Sequence, residues 1–143
     1  MTLRRLSGSV RARAVSAEEL VGSSLERIDR LNPPLNAVVL VCAEEALAEA
    51  RALDARIVAG EEAGPLAGLP LLVKDNEDRA GLPTTFGSLL RADAPSADED
   101  CEAVSRLRAA GAIVVGKTNV PEFAFEGFAS NRLFGDTRNP WAP

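Results

Sequence analysis

Apolar residues along the chain fall into two patterns, one recurring every three to four positions and one running unbroken for five or six, and their alternation predicts helices interleaved with buried strands. Ser16 followed by Glu19 forms a capping box, and behind it Leu20, Ser24, Ile28 and Leu31 share one face until "NPP", which predicts a helix over residues 16–31. "AVVLV" reads as a short buried strand. In "AEEALAEARALDARIVAG" the stripe Ala46, Ala50, Leu53 and Ile57 predicts a second helix that stops at Gly60. "LPLLVK" is a strand with its proline at the start, where a missing amide proton does least harm. Residues 75–95, "DNEDRAGLPTTFGSLLRADAP", show little periodicity, and an irregular stretch of that length inside a compact domain is usually functional. A third helix is expected from about Ala97 to Ala110, opened by a capping box of Ser96 and Glu99, with Cys101, Val104 and Leu107 inward and Gly111 at its end. "AIVVG" has no polar alternation, as expected of a strand covered on both faces in a parallel sheet with helical crossovers. The pattern predicts an α/β fold.

This order of elements decides how "GAIVVGKT", residues 111–118, is to be read. The string fits G-x-x-x-x-G-K-[ST], the spacing of a phosphate-cradling loop. Such a loop needs a strand before its first glycine, free amides at its variable positions and a helix at its end. Here the order is reversed: a helix precedes Gly111, the variable residues form a strand whose amides belong to a ladder, and the proline of "NVP" discourages a following helix. A nucleotide site is not expected.

Composition narrows the chemistry further. The 143 residues suffice for about one domain, and 46% hydrophobic with 26% charged residues is ordinary for a globular protein. A net charge of −5 leaves no basic excess for nucleic acid, and no apolar run is long enough to span a membrane. Neither partner is expected. The start "MTLRRLSGSVRARAV" lacks the apolar block of a secretory signal, and its arginines suit a solvated first helix better than an organellar transit peptide, so a cytoplasmic location is expected. No histidine is present, and Cys42 and Cys101 are too far apart for a C-x-x-C pair, so no metal and no cofactor is expected and two free thiols are the default. The acids of "DAPSADEDCE" suit a helix N-terminus rather than a cation site. Of 16 basic residues only Lys74 and Lys117 are lysine. Arginine keeps its proton at neutral pH, whereas a lysine desolvated among apolar neighbours can lose it and act as a base. Each lysine ends an apolar run, "LPLLVK" or "AIVVGK", where it could equally be a strand-end lysine reaching for solvent.

"GPLAGLPLLVKDNEDRAGLPTTFGS", "LRAAGAIVVGKTNVPEFA" and "NRLFGDTRNPWAP", in this order, with "SAEELVGSSLERIDRLNPPLNAVV" upstream, resemble the N-terminal part of the amidase signature family across nearly the whole chain. The resemblance implies one large α/β/α domain with a mixed sheet covered by helices, of which residues 1–143 would be the incomplete N-terminal part, so that the rest of the domain is its expected partner. It implies hydrolysis of a small-molecule amide by a serine, a second serine with a cis peptide bond, and a lysine. That lysine matches Lys74 of "VKD", with Asp75 and Asn76 as residues that could orient its ammonium form, while Lys117 of "GKTN" reads as structural. Both serines would lie in a Gly/Ser-rich segment beyond "TRNPW". Ser23 and Ser24 inside the first helix, and Ser88 and Ser130 in loops, lack a glycine elbow that would make them substitutes, so this stretch alone is expected to be inactive. Phe123 and Phe125 of "PEFAFEG" are candidates for substrate contacts, with core packing as the alternative. Two departures from the family pattern, Glu77 and Arg79 where apolar residues are expected, bear on local packing. Within the family a stand-alone amidase and the A subunit of a tRNA-dependent amidotransferase both remain open, as does a non-catalytic binding or assembly piece.

Overall fold

The arginine-rich start forms helix α1 (Leu3–Arg11), capped by the Thr2 hydroxyl, which accepts from the Arg5 amide. It is docked rather than fully solvated: Ser7 and Val10 are buried, and Ser7 Oγ donates to the Pro65 carbonyl at 2.8 Å. These features come from a computed structural model that describes residues 2–141. Helix α2 (Ala17–Leu35) opens with the capping box, Glu19 N donating to Ser16 Oγ at 2.9 Å and Ser16 N to Glu19 Oε2 at 2.8 Å. It does not stop at "NPP" but encloses Pro33 and Pro34 and ends at Asn36, whose φ is 50°. Proline already has a helical φ, and what it removes is an amide that bonds four residues back. So close to the helix end that loss is local, and the Asn36 amide closes the last turn on the Asn32 carbonyl at 2.7 Å.

Strand β1 (Val38–Val41) leads into helix α3 (Ala43–Val58), where Ala46, Ala50, Leu53 and Ile57 are all buried, as the 3.6-residue period requires. Strand β2 (Pro70–Lys74), helix α4 (Glu102–Ala109) and strand β3 (Ile113–Thr118) follow, with one-turn helices at 89–91 and 122–124. The strand order is β1-β3-β2, with β3 parallel to β2 and antiparallel to β1. The sheet is therefore mixed. Helices α1 to α3 contribute Val10, Val21, Ala50 and Ile57 to a core against Ile113 and Val115, while Val104 of α4 packs with Val73 and Val114 on the other face. Gly111 ends α4 at φ +98°, and a Cβ there would lie 2.3 Å from the Ala63 carbonyl oxygen. Residues 113–118 are ladder, not loop, which agrees with the reading against a phosphate site.

The third helix departs from its expected bounds. Ser96 and Ala97 pair with Pro83 and Ala80 as isolated bridges, and the Ala97 amide donates to the Leu82 carbonyl at 3.0 Å. Their backbone is spent on extended pairing, so no capping box forms at Ser96 and the helix starts at Glu102 with Cys101 before it. Val104 is buried as expected, but Leu107 is exposed and the neighbouring Arg108 turns inward instead.

A bulge at the centre of the sheet decides which face Lys117 takes. The register of β2 against β3 steps from Leu71↔Val114 to Leu72↔Gly116, which leaves Val115 without a partner on that side. Beyond the step Lys117 pairs with Val73, not with Lys74, so it shares the face of Val73 and Val114 under α4.

Candidate active site

Parallel β2 and β3 end on the same side of the sheet, the side on which open α/β sheets bind ligands. Lys74 is the last residue of β2 and pairs with Thr118, the last residue of β3. Its side chain is exposed, and among the described residues no hydrogen bond or ion pair holds its ammonium. Asp75, the next residue, points to the opposite face because successive side chains alternate along a strand. It is buried, pairs with Lys117 Nζ at 3.0 Å and accepts from the Thr85 hydroxyl and amide. Asp75 therefore does not orient the Lys74 ammonium. Two residues after Lys74, the Asn76 side-chain oxygen is buried with no hydrogen-bond partner among the described residues.

Lys117, read from sequence as structural, is fully buried and uses all three ammonium donors, on Asp75, on the Pro83 carbonyl at 2.7 Å and on Thr84 Oγ1 at 2.8 Å. Of the two lysines, only Lys74 is available to other groups.

The irregular stretch after β2 brings the other candidates close. The Phe86 amide donates to the Asp75 carbonyl at 3.0 Å, and the Phe123 amide donates to the Phe86 carbonyl at 2.9 Å. The turn of Lys74 and the turn of Phe123 are thus joined through one residue. The two rings stack with centroids 6.0 Å apart, and the Arg91 guanidinium lies 5.4 Å from the centre of the Phe86 ring. Phe86, Phe123 and Ala124 all have positive φ, at 54°, 50° and 58°, conformations that side chains other than glycine's rarely adopt. Such strain persists only where surrounding contacts over-determine the backbone. Here one such contact is Ser88 Oγ, buried and donating to Glu122 Oε1 at 2.6 Å. Phe123 is half exposed and Phe125 is 91% exposed, so neither is packed into the core formed by residues 2–141. Both line a concave pocket of about 640 Å³ with Glu122, Glu126, Asn131 and Arg132.

The serines stand where the sequence places them. Ser23 and Ser24 lie within α2, Ser88 is locked on Glu122, and Ser130 donates to Asp136 at 2.5 Å. Asn119, Asn131 and Thr137 form one hydrogen-bonded network. Asn119 donates to the Gly135 carbonyl and to Thr137 Oγ1, both at 3.0 Å, and accepts from Asn131, whose own oxygen takes the amides of Leu133 and Phe134. Thr137 in turn donates to the Asn36 carbonyl at 2.7 Å, tying this loop to the end of α2. Among the described residues no group of three or more His, Cys, Asp or Glu could hold a metal ion. Nor is any helix among them long and apolar enough to cross a membrane.

Arg79 explains itself only in three dimensions. It is 1% exposed, with Nη1 on Glu45 at 2.6 Å and on the Ala80 carbonyl at 2.5 Å, and Nη2 on Glu49 at 3.1 Å. Arg108 bridges the same Glu49 at 2.7 Å to Asp100 at 2.6 Å, and Asp100 accepts the Ala80 amide. A buried arginine is tolerable when its charge is met in this way. Burial disfavours the Asp100 anion, but hydrogen bonds from Arg108 and the Ala80 amide, together with both guanidinium charges, outweigh it and hold its carboxyl below the ordinary value. Glu77, the other departure, accepts from Cys101 Sγ at 3.1 Å. The i, i+4 spacing of Glu45 and Glu49 on α3 was the one sign in the sequence that they could serve one arginine together.

A mixed sheet with helices on both faces and candidate groups at the carboxyl ends of a parallel pair places the molecule among α/β domains that bind at their strand ends. The Amidase family model matches residues 19–143, and the chain belongs to the amidase signature family. It is 50% identical over 141 residues to AmiA2 of Mycobacterium tuberculosis, a match that covers 99% of this chain and 28% of AmiA2. It is 45% identical over 141 residues to the A subunit of the glutamyl-tRNA(Gln) amidotransferase of Acidothermus cellulolyticus, covering 98% and 28% respectively. Among solved structures, a bacterial aryl acylamidase of the amidase signature family superposes with a TM-score of 0.91 at 33% identity, over 99% of this chain and 29% of that one. The chain spans little more than a quarter of the length of these relatives.

Proposed function

We propose that residues 1–143 form the N-terminal part of one amidase-signature domain and supply its catalytic lysine, Lys74, for hydrolysis of a carboxylic amide to the acid and ammonia or an amine. The single observation that carries this reading is the contrast between the two lysines: Lys117 has every donor committed inside the protein, whereas Lys74 stands exposed at the carboxyl end of β2 and unpaired among the described residues. In this mechanism neutral Lys74 takes the proton of the attacking serine through a bridging serine, the attacking serine adds to the amide carbonyl, and the C–N bond breaks as the proton passes back to the leaving nitrogen. Water then releases the acid from the acyl-enzyme. Both serines come from sequence beyond residue 143. Covering of Lys74 by that sequence would remove it from water and favour the neutral amine the role needs. Phe123 and Phe125 would contact the substrate from the pocket they line.

The test is Lys74→Arg in the complete polypeptide. Arginine keeps the charge and cannot become neutral, so kcat should fall by about three orders of magnitude or more, as for loss of a base acting as a unit with its nucleophile. A variant that keeps a tenth of the parent kcat would rule out Lys74 as the base.

A second reading, the A subunit of a glutamine-dependent tRNA amidotransferase, is favoured by the 45% identity to one such protein. It predicts release of ammonia from glutamine that increases when the other subunits of the complex are added. A stand-alone amidase would hydrolyse simple aryl or aliphatic amides without them.

A further inference from the structure

We propose that Lys117 and Asp75 are a positioning pair for Lys74, an inference that rests on the reading of Lys74 as the base. Each polar atom of Asp75 is committed. Its amide extends the ladder to the Thr118 carbonyl at 3.0 Å, its carbonyl takes the Phe86 amide at 3.0 Å, and its carboxylate takes Lys117 Nζ and both donors of Thr85. Lys117 adds the Pro83 carbonyl and Thr84 Oγ1, so one buried ammonium gathers residues 75, 83 and 84 around itself. The Lys74 carbonyl is held as well, by the Glu77 amide at 3.0 Å. The backbone that launches the Lys74 side chain is thus pinned on the side away from that side chain, and the bulge at Val115 is what brings Lys117 to that side. Such a pair does no chemistry itself. Breaking it leaves a buried charge unpaired and frees the loop whose Phe86 joins the Lys74 turn to Phe123.

A displacement of about 1 Å at a reacting group can cost about a hundredfold in rate. The complete polypeptide is assayed on whichever of p-nitroacetanilide, benzamide and L-glutamine it turns over fastest, in parent, Lys117→Met, Asp75→Asn, their double variant and Lys74→Ala. A control, Val21→Ala, truncates a buried residue of α2 remote from the loop. All are assayed well below their melting temperatures. Lys117→Met and Asp75→Asn should each lower kcat about a hundredfold. The double variant should be no worse than the poorer single, as expected for residues acting as a unit. Val21→Ala should keep kcat within about twofold even where its melting temperature falls as far. Folded pair variants with kcat within threefold of the parent, or a loss that Val21→Ala reproduces, would overturn the inference. If Lys117→Met does not fold, Thr84→Val, which deletes one of the three acceptors, replaces it, and an unchanged kcat there is equally fatal. Full activity in Lys74→Ala would sink the base assignment together with this pair, whereas loss in Lys74→Ala with unaffected pair variants sinks the pair alone. A parent that turns over none of the three amides removes both.

Discussion

At Gly87 a single methyl group would land 2.6 Å from the Val120 carbonyl oxygen and 2.8 Å from Asn131 Nδ2, in a backbone with φ +62°. Nothing soft is available to yield, because Asn131 is held by Asn119 and by the Val120 carbonyl itself. The left-handed conformation costs an alanine about 1–2 kcal/mol and overpacking adds about 1–3 kcal/mol, so Gly87→Ala should destabilise the complete polypeptide by about 2–5 kcal/mol in urea unfolding. Gly22 gives the opposite sign. It lies in α2 with open space where a Cβ would go, so Gly22→Ala should stabilise by about 0.5–1 kcal/mol. Equal effects of the two substitutions would contradict the close approach of the 85–88 loop to the 119–131 loop.

Three elements meet at the ion network of Arg79, Glu45, Glu49, Arg108 and Asp100, which ties α3 and α4 to the loop that follows Lys74. Asp100 has its carboxyl held below the ordinary value, so it binds a proton less readily folded than unfolded. The sign follows: its stabilisation is complete above the unfolded aspartate value of about 4 and fades as pH falls through the depressed native one. The melting temperature of the parent should therefore exceed that of Asp100→Asn by a constant amount near neutrality, and the gap should close in acid below about pH 4. A gap that persists unchanged into strong acid would mean that Asp100 acts through shape rather than charge.

For the molecule as a whole, β1 and β2 are outer strands with one edge each unpaired within residues 2–141, and Leu90, Phe125, Phe128 and Trp141 are all strongly exposed. Unpaired edges and exposed apolar groups drive association. Residues 1–143 expressed alone should therefore elute as a concentration-dependent mixture of oligomers and hydrolyse no amide, and co-expression of the downstream sequence should restore both properties. A monodisperse monomer with a cooperative melt and amidase activity would refute this expectation.

The α/β alternation, the buried stripe of α3, the capping box at Ser16 and the rejection of a phosphate loop at 111–118 were all legible in the chain, because each depends on neighbours within a turn or a strand. So was the family, from the stretches "GPLAGLPLLVKDN" and "LRAAGAIVVGKTNVPEFA". Other features depend on residues far apart in sequence. Helix α2 continues through Pro33 and Pro34 because Asn32 and Asn36 close its end, and α4 starts late because Ser96 and Ala97 pair with residues 80–83. Arg79 is buried because two glutamates from α3 reach its guanidinium. The difference between two lysines that look alike in sequence comes from a one-residue slip at Val115: it turns Lys117 under α4 to meet Asp75, while the pleat sends Lys74 to the opposite face, where it stands exposed at the end of β2.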